Sequence, residues 1–172
     1  MLNILIVEDE PLLATTLKHL VELNPMYKVT AIADDPDSAM QAVEEKRPDL
    51  ALVDLQLANA TSGYSVAAKL HEIGVPCLFT TGKAPAFPVP DLAIGCLHKP
   101  FQEEDLVRAL RAAEDIVRGR ETMILRPKLP EQLQLYSTEP AEPESHEESW
   151  VPALNRERGS LRTRLSHWFA VH

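Results

Sequence analysis

The stretch "LALVDLQL", Leu50–Leu57, runs through four apolar residues and stops at an acid, Asp54. A short apolar run without polar alternation reads as a strand buried on both faces, the form strands take in parallel sheets. Toward the N-terminus, Asn3–Val7 is a similar run and ends at Glu8 and Asp9. Toward the C-terminus, Pro76–Thr80 leads into Thr81-Gly82, and Gly95–His98 leads into Lys99-Pro100. Tyr27–Ala33 alternates and is rich in β-formers, which makes it a strand as well.

Helical patterns lie between these strands. Glu10–Leu23 has Pro11 in a permitted first turn and Leu12, Leu13, Leu17, Leu20 and Val21 at helical spacing. Asp35-Pro36 is a start signal for a helix over Asp37–Lys46. Gly63–Ile73 has helical period and is closed by Gly74. Gln102–Arg118 places Leu106, Ala109, Leu110, Ala113 and Val117 on one face. Lys83–Leu92 breaks the rhythm, because Pro85, Pro88 and Pro90 remove donors and clash with a preceding helical turn. An irregular loop is expected where the fourth helix would stand.

Strands alternating with helices imply an α/β fold with a doubly wound, five-stranded parallel sheet. Ligands of such sheets bind at the carboxyl ends of the strands. Glu8, Asp9, Asp54, Thr81 and Lys99 are brought to that edge. Three carboxylates resist joint ionisation unless a cation joins them. A hard cation such as Mg²⁺ suits carboxylates and water. A lysine and a hydroxyl can then hold the oxygens of an incoming anion. A cation, a nucleophilic carboxylate and a lysine together describe phosphoryl transfer.

Four motifs in register, "ILIVEDE", "LALVDLQL", "PCLFTTG" and "LHKPF", resemble the receiver domain of two-component response regulators across roughly Met1 to Arg120. The fold implied is flavodoxin-like. The resemblance implies that Asp54 accepts a phosphoryl group. It also implies that Asp9 binds Mg²⁺ directly, that Glu8 helps through water, and that the backbone carbonyl of Gln56 completes the metal site. Thr81 and Lys99 would contact phosphoryl oxygens, Gly82 would leave them room, and Gln56 and Lys83 would flank the approach. A histidine kinase or histidine phosphotransfer protein is the implied donor, with an unknown protein downstream. The alternative is a pseudo-receiver, an interaction module that never cycles phosphate.

The sequence departs from the family pattern in several places. The loop from Leu57 to Gly63 is one residue longer than usual. Cys96 stands where many receivers carry an aromatic residue, three positions before the lysine. The "FTTG" strand with a reduced or missing fourth helix resembles a subgroup of alphaproteobacterial receivers, often single-domain regulators in stress and phosphorelay pathways. His98 should face away from Lys99, because side chains alternate along a strand. His19 and His71 are expected on exposed helix faces.

The chain has 172 residues and a formal net charge of -9, which argues against general nucleic-acid binding. It contains no run of about 18 apolar residues to span a membrane, and its opening lacks the pattern of a signal peptide. A cytoplasmic location is expected. Cys77 and Cys96 sit in apolar runs and read as buried thiols. Three parts are expected: a receiver over 1–122, a disordered Pro/Glu-rich linker over 123–152, and a basic amphipathic tail over 153–172. The tail places Leu154, Leu161, Leu165, Trp168 and Phe169 near helical spacing, with arginines between them. It could dock a partner or the receiver itself, lie on an anionic membrane surface (the less favoured use), or do nothing specific.

Overall fold

The computed structural model describes residues 1–57, 62–120 and 129–136. Five parallel strands form as the apolar runs require: β1 Leu2–Val7, β2 Tyr27–Ala33, β3 Leu50–Val53, β4 Cys77–Thr81 and β5 Gly95–His98. Every residue of β3 and β4 is buried, which explains why neither strand alternates. The helices are α1 Pro11–Glu22, α2 Pro36–Glu45, α3 Gly63–Glu72 and α4 Glu103–Val117.

Local chemistry sets the helix ends. Pro11 begins α1, and Ala14, Leu17 and Val21 form its buried stripe. A reciprocal box starts α2: Asp35 Oδ1 accepts from Ser38 N–H at 2.7 Å, and Ser38 Oγ accepts from Asp35 N–H at 3.2 Å. At α4, Glu103, Glu104 and Asp105 face the positive end of the helix dipole. The α4 residues Leu106, Ala109, Leu110, Ala112 and Ala113 are buried.

The order of the five parallel strands is β2-β1-β3-β4-β5. From β1 the chain moves to one side for β2 and to the other for β3. The crevice between the ends of β1 and β3 is therefore the topological switch point. Two cores flank the sheet. One joins β1, β3 and β5 to α1 and α4 through Ile4, Leu17, Leu52, Leu97 and Leu106. The other joins the sheet to α2 and α3 through Leu5, Ala39, Val53, Leu70 and Phe79.

Two expectations need correction. The sheet has six strands rather than five, and it is not wholly parallel: β6, Leu133–Leu135, pairs antiparallel with β5. This strand also lies inside the 123–152 stretch read as a disordered linker. Its short Leu-Gln-Leu alternation is submerged in residues typical of linkers. The expected loss of the helix between β4 and β5 is borne out: residues 82–94 hold none. Instead Leu92 and Ala93 N–H both donate to the Val89 carbonyl, and Ala84, Val89 and Leu92 pack on the α2/α3 core. Phe87 points outward, 78% exposed. The remaining linker positions and the 153–172 tail lie outside the described residues. Among those described, no helix is long and apolar enough to cross a membrane.

Candidate functional site

The strands on either side of the switch point each end in acid. Glu8 follows β1 and is 3% exposed; Asp54 follows β3 and is 6% exposed. Lys99, just beyond β5, reaches both: its Nζ is 2.6 Å from Asp54 Oδ2 and 2.8 Å from Glu8 Oε2. The other oxygens are also engaged. Asp54 Oδ1 accepts from Gln56 N–H at 2.9 Å, and Glu8 Oε1 accepts from Glu10 N–H at 3.3 Å. Two buried carboxylates thus share one ammonium.

The electrostatics follow from that sharing. Burial pushes the Glu8 carboxyl above its ordinary value; Lys99 opposes the shift, and the charge on Asp54 adds to it. Burial alone would lower the Lys99 ammonium. Its bonds to Asp54 and Glu8 outweigh burial and hold it above its ordinary value. Lys99 is set in place by its own N–H, which donates to the Thr81 carbonyl at 2.9 Å.

The other expected residues divide into two groups. Asp9 is half-buried, and with Glu8, Thr15, Ile32 and Asp34 it lines an open cavity of about 340 Å³ beside the acids. Gln56 is exposed, and its side chain lies near Gly82: a Cβ on Gly82 would sit 3.7 Å from Gln56 Oε1. The structure does not bring the Thr81 hydroxyl to Asp54. The hydroxyl is turned to the Lys83 backbone, 3.3 Å from both its N–H and its carbonyl. The Lys83 side chain is exposed. His19 and His71 are exposed, as expected. Cys77 and Cys96 are buried free thiols, and burial pushes them up to about 12 and about 11.

The donor set suits magnesium in kind. All the donors are oxygens, two come from ionisable groups beside an open cavity, and Mg²⁺ needs only one or two carboxylates with water. Among the described residues, no three His, Cys, Asp or Glu side chains already close on one point. Lys99 stands between Glu8 and Asp54, so an ion would be taken from the cavity side, where Asp9 lies.

Two features of the site escaped sequence reasoning. Gly63 is buried against the backbone after β3, and a Cβ there would collide with the Asp54 carbonyl oxygen. An antiparallel bridge between Gln56 and Ser62 closes the long loop and brings Gly63 to that place. The glycine that opens α3 was the available signal. The other feature is Tyr136, just after β6. It is buried beside Cys96, at the position that lacks the family's aromatic residue.

Comparison with known proteins agrees with this geometry. Residues 4–111 match the response regulator receiver domain. The phyllosphere-induced regulator PhyR of Methylorubrum extorquens is 38% identical over 118 residues, covering 64% of this chain and 43% of that protein. The positive alginate biosynthesis regulatory protein of Pseudomonas aeruginosa is 35% identical over 119 residues, covering 65% and 47%. The receiver domain of a modulated diguanylate cyclase from Desulfovibrio desulfuricans superimposes with a TM-score of 0.61 at 30% identity, covering 70% of this chain and 99% of that one. The chain spans about half the length of the curated relatives it matches. The acids of β1 and β3, the lysine of β5 and the match over most of the sheet place this chain in the response regulator receiver family of two-component signal transduction.

Proposed function

We propose that Asp54 accepts a phosphoryl group from a histidine kinase or histidine phosphotransfer protein in the cytoplasm, and that the modified domain signals by protein contact. The observation that carries this reading is the Lys99 bridge. A buried carboxylate at the switch point is kept next to a cation able to hold transferred oxygens. Asp54 Oδ2 attacks phosphorus and the phosphorus–nitrogen bond of the donor breaks. The electron pair stays on the imidazole, leaving an acyl phosphate on Asp54. Lys99 moves its donor bonds from Asp54 to the phosphoryl oxygens. The Thr81 hydroxyl turns from the Lys83 backbone to do the same, and Gly82 leaves space for this. Water later attacks phosphorus, releasing orthophosphate and restoring the carboxylate.

Glu8, Asp9, Asp54 and the Gln56 carbonyl would hold Mg²⁺. Its chemistry there is to neutralise the charge that gathers on the phosphoryl oxygens. The chain promotes only its own phosphorylation and hydrolysis, so it acts as a switch rather than a metabolic enzyme. No nucleic acid is required by this reading.

The test is intact-mass measurement after treatment with a small phosphodonor and Mg²⁺. A labile gain of one phosphoryl group is expected. It should be absent in Asp54→Asn and abolished by a chelator. No gain in the unaltered protein would sink this reading and leave a phosphorylation-independent interaction module.

A further inference from the structure

Strand β6 is short, yet β5 is built to receive it. Gly95 faces Leu135 across the pair, and a Cβ on Gly95 would lie 2.6 Å from the Gln134 carbonyl oxygen and 3.1 Å from Leu135 Cα. The three nearest atoms to that position all belong to β6. Any side chain at residue 95 would push the strand away. Two bonds extend the ladder beyond the strand: His98 N–H donates to the Gln132 carbonyl at 2.8 Å, and Tyr136 N–H to the Ile94 carbonyl at 2.9 Å.

The segment also straddles the sheet. Side chains alternate across a strand, so Leu133 and Tyr136 go to opposite faces. Leu133 packs into the α1/α4 core and Tyr136 into the α2/α3 core. Tyr136 is 8% exposed and lies beside Cys96. Three apolar anchors, Leu133, Leu135 and Tyr136, and a few backbone bonds hold a three-residue strand. Such an element belongs to the low-stability end of a fold and opens easily.

Its far end is joined to the acidic site. Lys99 is the residue after His98, whose N–H carries the first β6 bond. Lys99 also grips Asp54 at 2.6 Å. An acyl phosphate on Asp54 Oδ2 places phosphorus where that contact now runs, so Lys99 must retreat or turn. Any shift of the backbone at residues 98–99 that accompanies this movement acts directly on the first β6 bond.

We propose that the outer edge of β5 is a strand-binding site, that residues 132–136 of this chain are its resting occupant, and that phosphorylation of Asp54 loosens them. This rests on the phosphorylation reading above. The vacated edge takes an extended segment with the same pattern, an apolar residue for the α1/α4 face and an aromatic for the α2/α3 face.

The experiment is amide hydrogen exchange on the full chain, with and without a small phosphodonor and Mg²⁺, with intact mass recorded on the same samples. A mass gain with exchange across 132–136 about tenfold faster supports the latch. A mass gain with unchanged or slower exchange overturns the latch and leaves the phosphorylation reading standing. No mass gain overturns that reading and the trigger of the latch together. Gly95→Val should speed exchange in 132–136 without phosphodonor while Asp54 still gains mass. If Gly95→Val does not fold, Tyr136→Ala serves in its place. Protection unchanged in the folded variant would show that β6 is not seated as described.

Discussion

Gly63 has no side chain at the point where the Asp54 carbonyl passes it, and nothing larger fits there. The first residue of α3 therefore fixes the backbone that carries the acid. Gly63 N–H donates to the Leu55 carbonyl at 3.2 Å, which pins the turn from the other side.

Gly63→Ala is accordingly expected to destabilise the fold by about 3 kcal/mol, as overpacking against backbone does. It should also slow phosphorylation of whatever protein remains folded. Urea denaturation and the rate of mass gain are the two readouts. Wild-type stability in the variant would contradict the close approach.

Removing the shared cation should cost more at neutral pH than in acid. Lys99→Met leaves Glu8 and Asp54 buried without a counter-charge, a loss of about 3 kcal/mol. Glu8 already has a raised pKa and can take up a proton as pH falls, which relieves the repulsion. On the alkaline side the Lys99 ammonium is held above 10.5. Its contribution is complete below pH 10.5 and is lost as pH rises through the higher folded value. The variant should lack this part of the alkaline loss. Melting temperature against pH for both proteins checks each limb.

Tyr27 joins the start of β2 to α4. Its hydroxyl donates to Glu114 Oε2 at 3.1 Å, and burial followed by the Glu114 charge pushes the phenol up to about 12. Tyr27→Phe should cost about 1 kcal/mol near neutrality, the usual worth of one such bond. The bond's contribution is complete below pH 10.0 and fades as pH rises through about 12. Ultraviolet titration of wild type against variant should isolate one late-ionising phenol.

Phe87 stands clear of both cores. Phe87→Ser should change stability by less than about 0.5 kcal/mol and leave the mass gain at Asp54 intact. A large loss on denaturation would mean that the proline-rich loop packs more closely than its exposure indicates.

Much of this was legible because the determining signals are local. Leu50–Val53 announces itself by an unbroken apolar run, and Asp35-Pro36 by cap chemistry. The prolines at 85, 88 and 90 forbid a helix on steric grounds alone. The convergence of Glu8, Asp54 and Lys99 followed from strand order, since each ends a parallel strand at the same edge. What stayed hidden depends on contacts distant in sequence. Leu133–Leu135 has too few residues for a period to show, and its pairing with β5 becomes apparent only once Gly95 is seen against it. The Thr81 hydroxyl was expected at Asp54 but faces the Lys83 backbone, a choice between nearby partners that residue type does not settle.

Strand β6 also bears on how the protein keeps to itself in solution. A bare β5 would offer a four-residue row of unpaired amides and carbonyls between two apolar faces, a template for amyloid-like stacking of one molecule on the next. With β6 in place, that side of the sheet ends in a strand of only three residues. The opposite edge, β2, is longer, but it carries exposed Lys28, and its register with β1 shifts between Ile4 and Leu5. A charge and an irregularity are both features that discourage edge-to-edge growth. Trimming the chain before Gln132 would therefore trade solubility for brevity, with turbidity at high concentration as its first symptom.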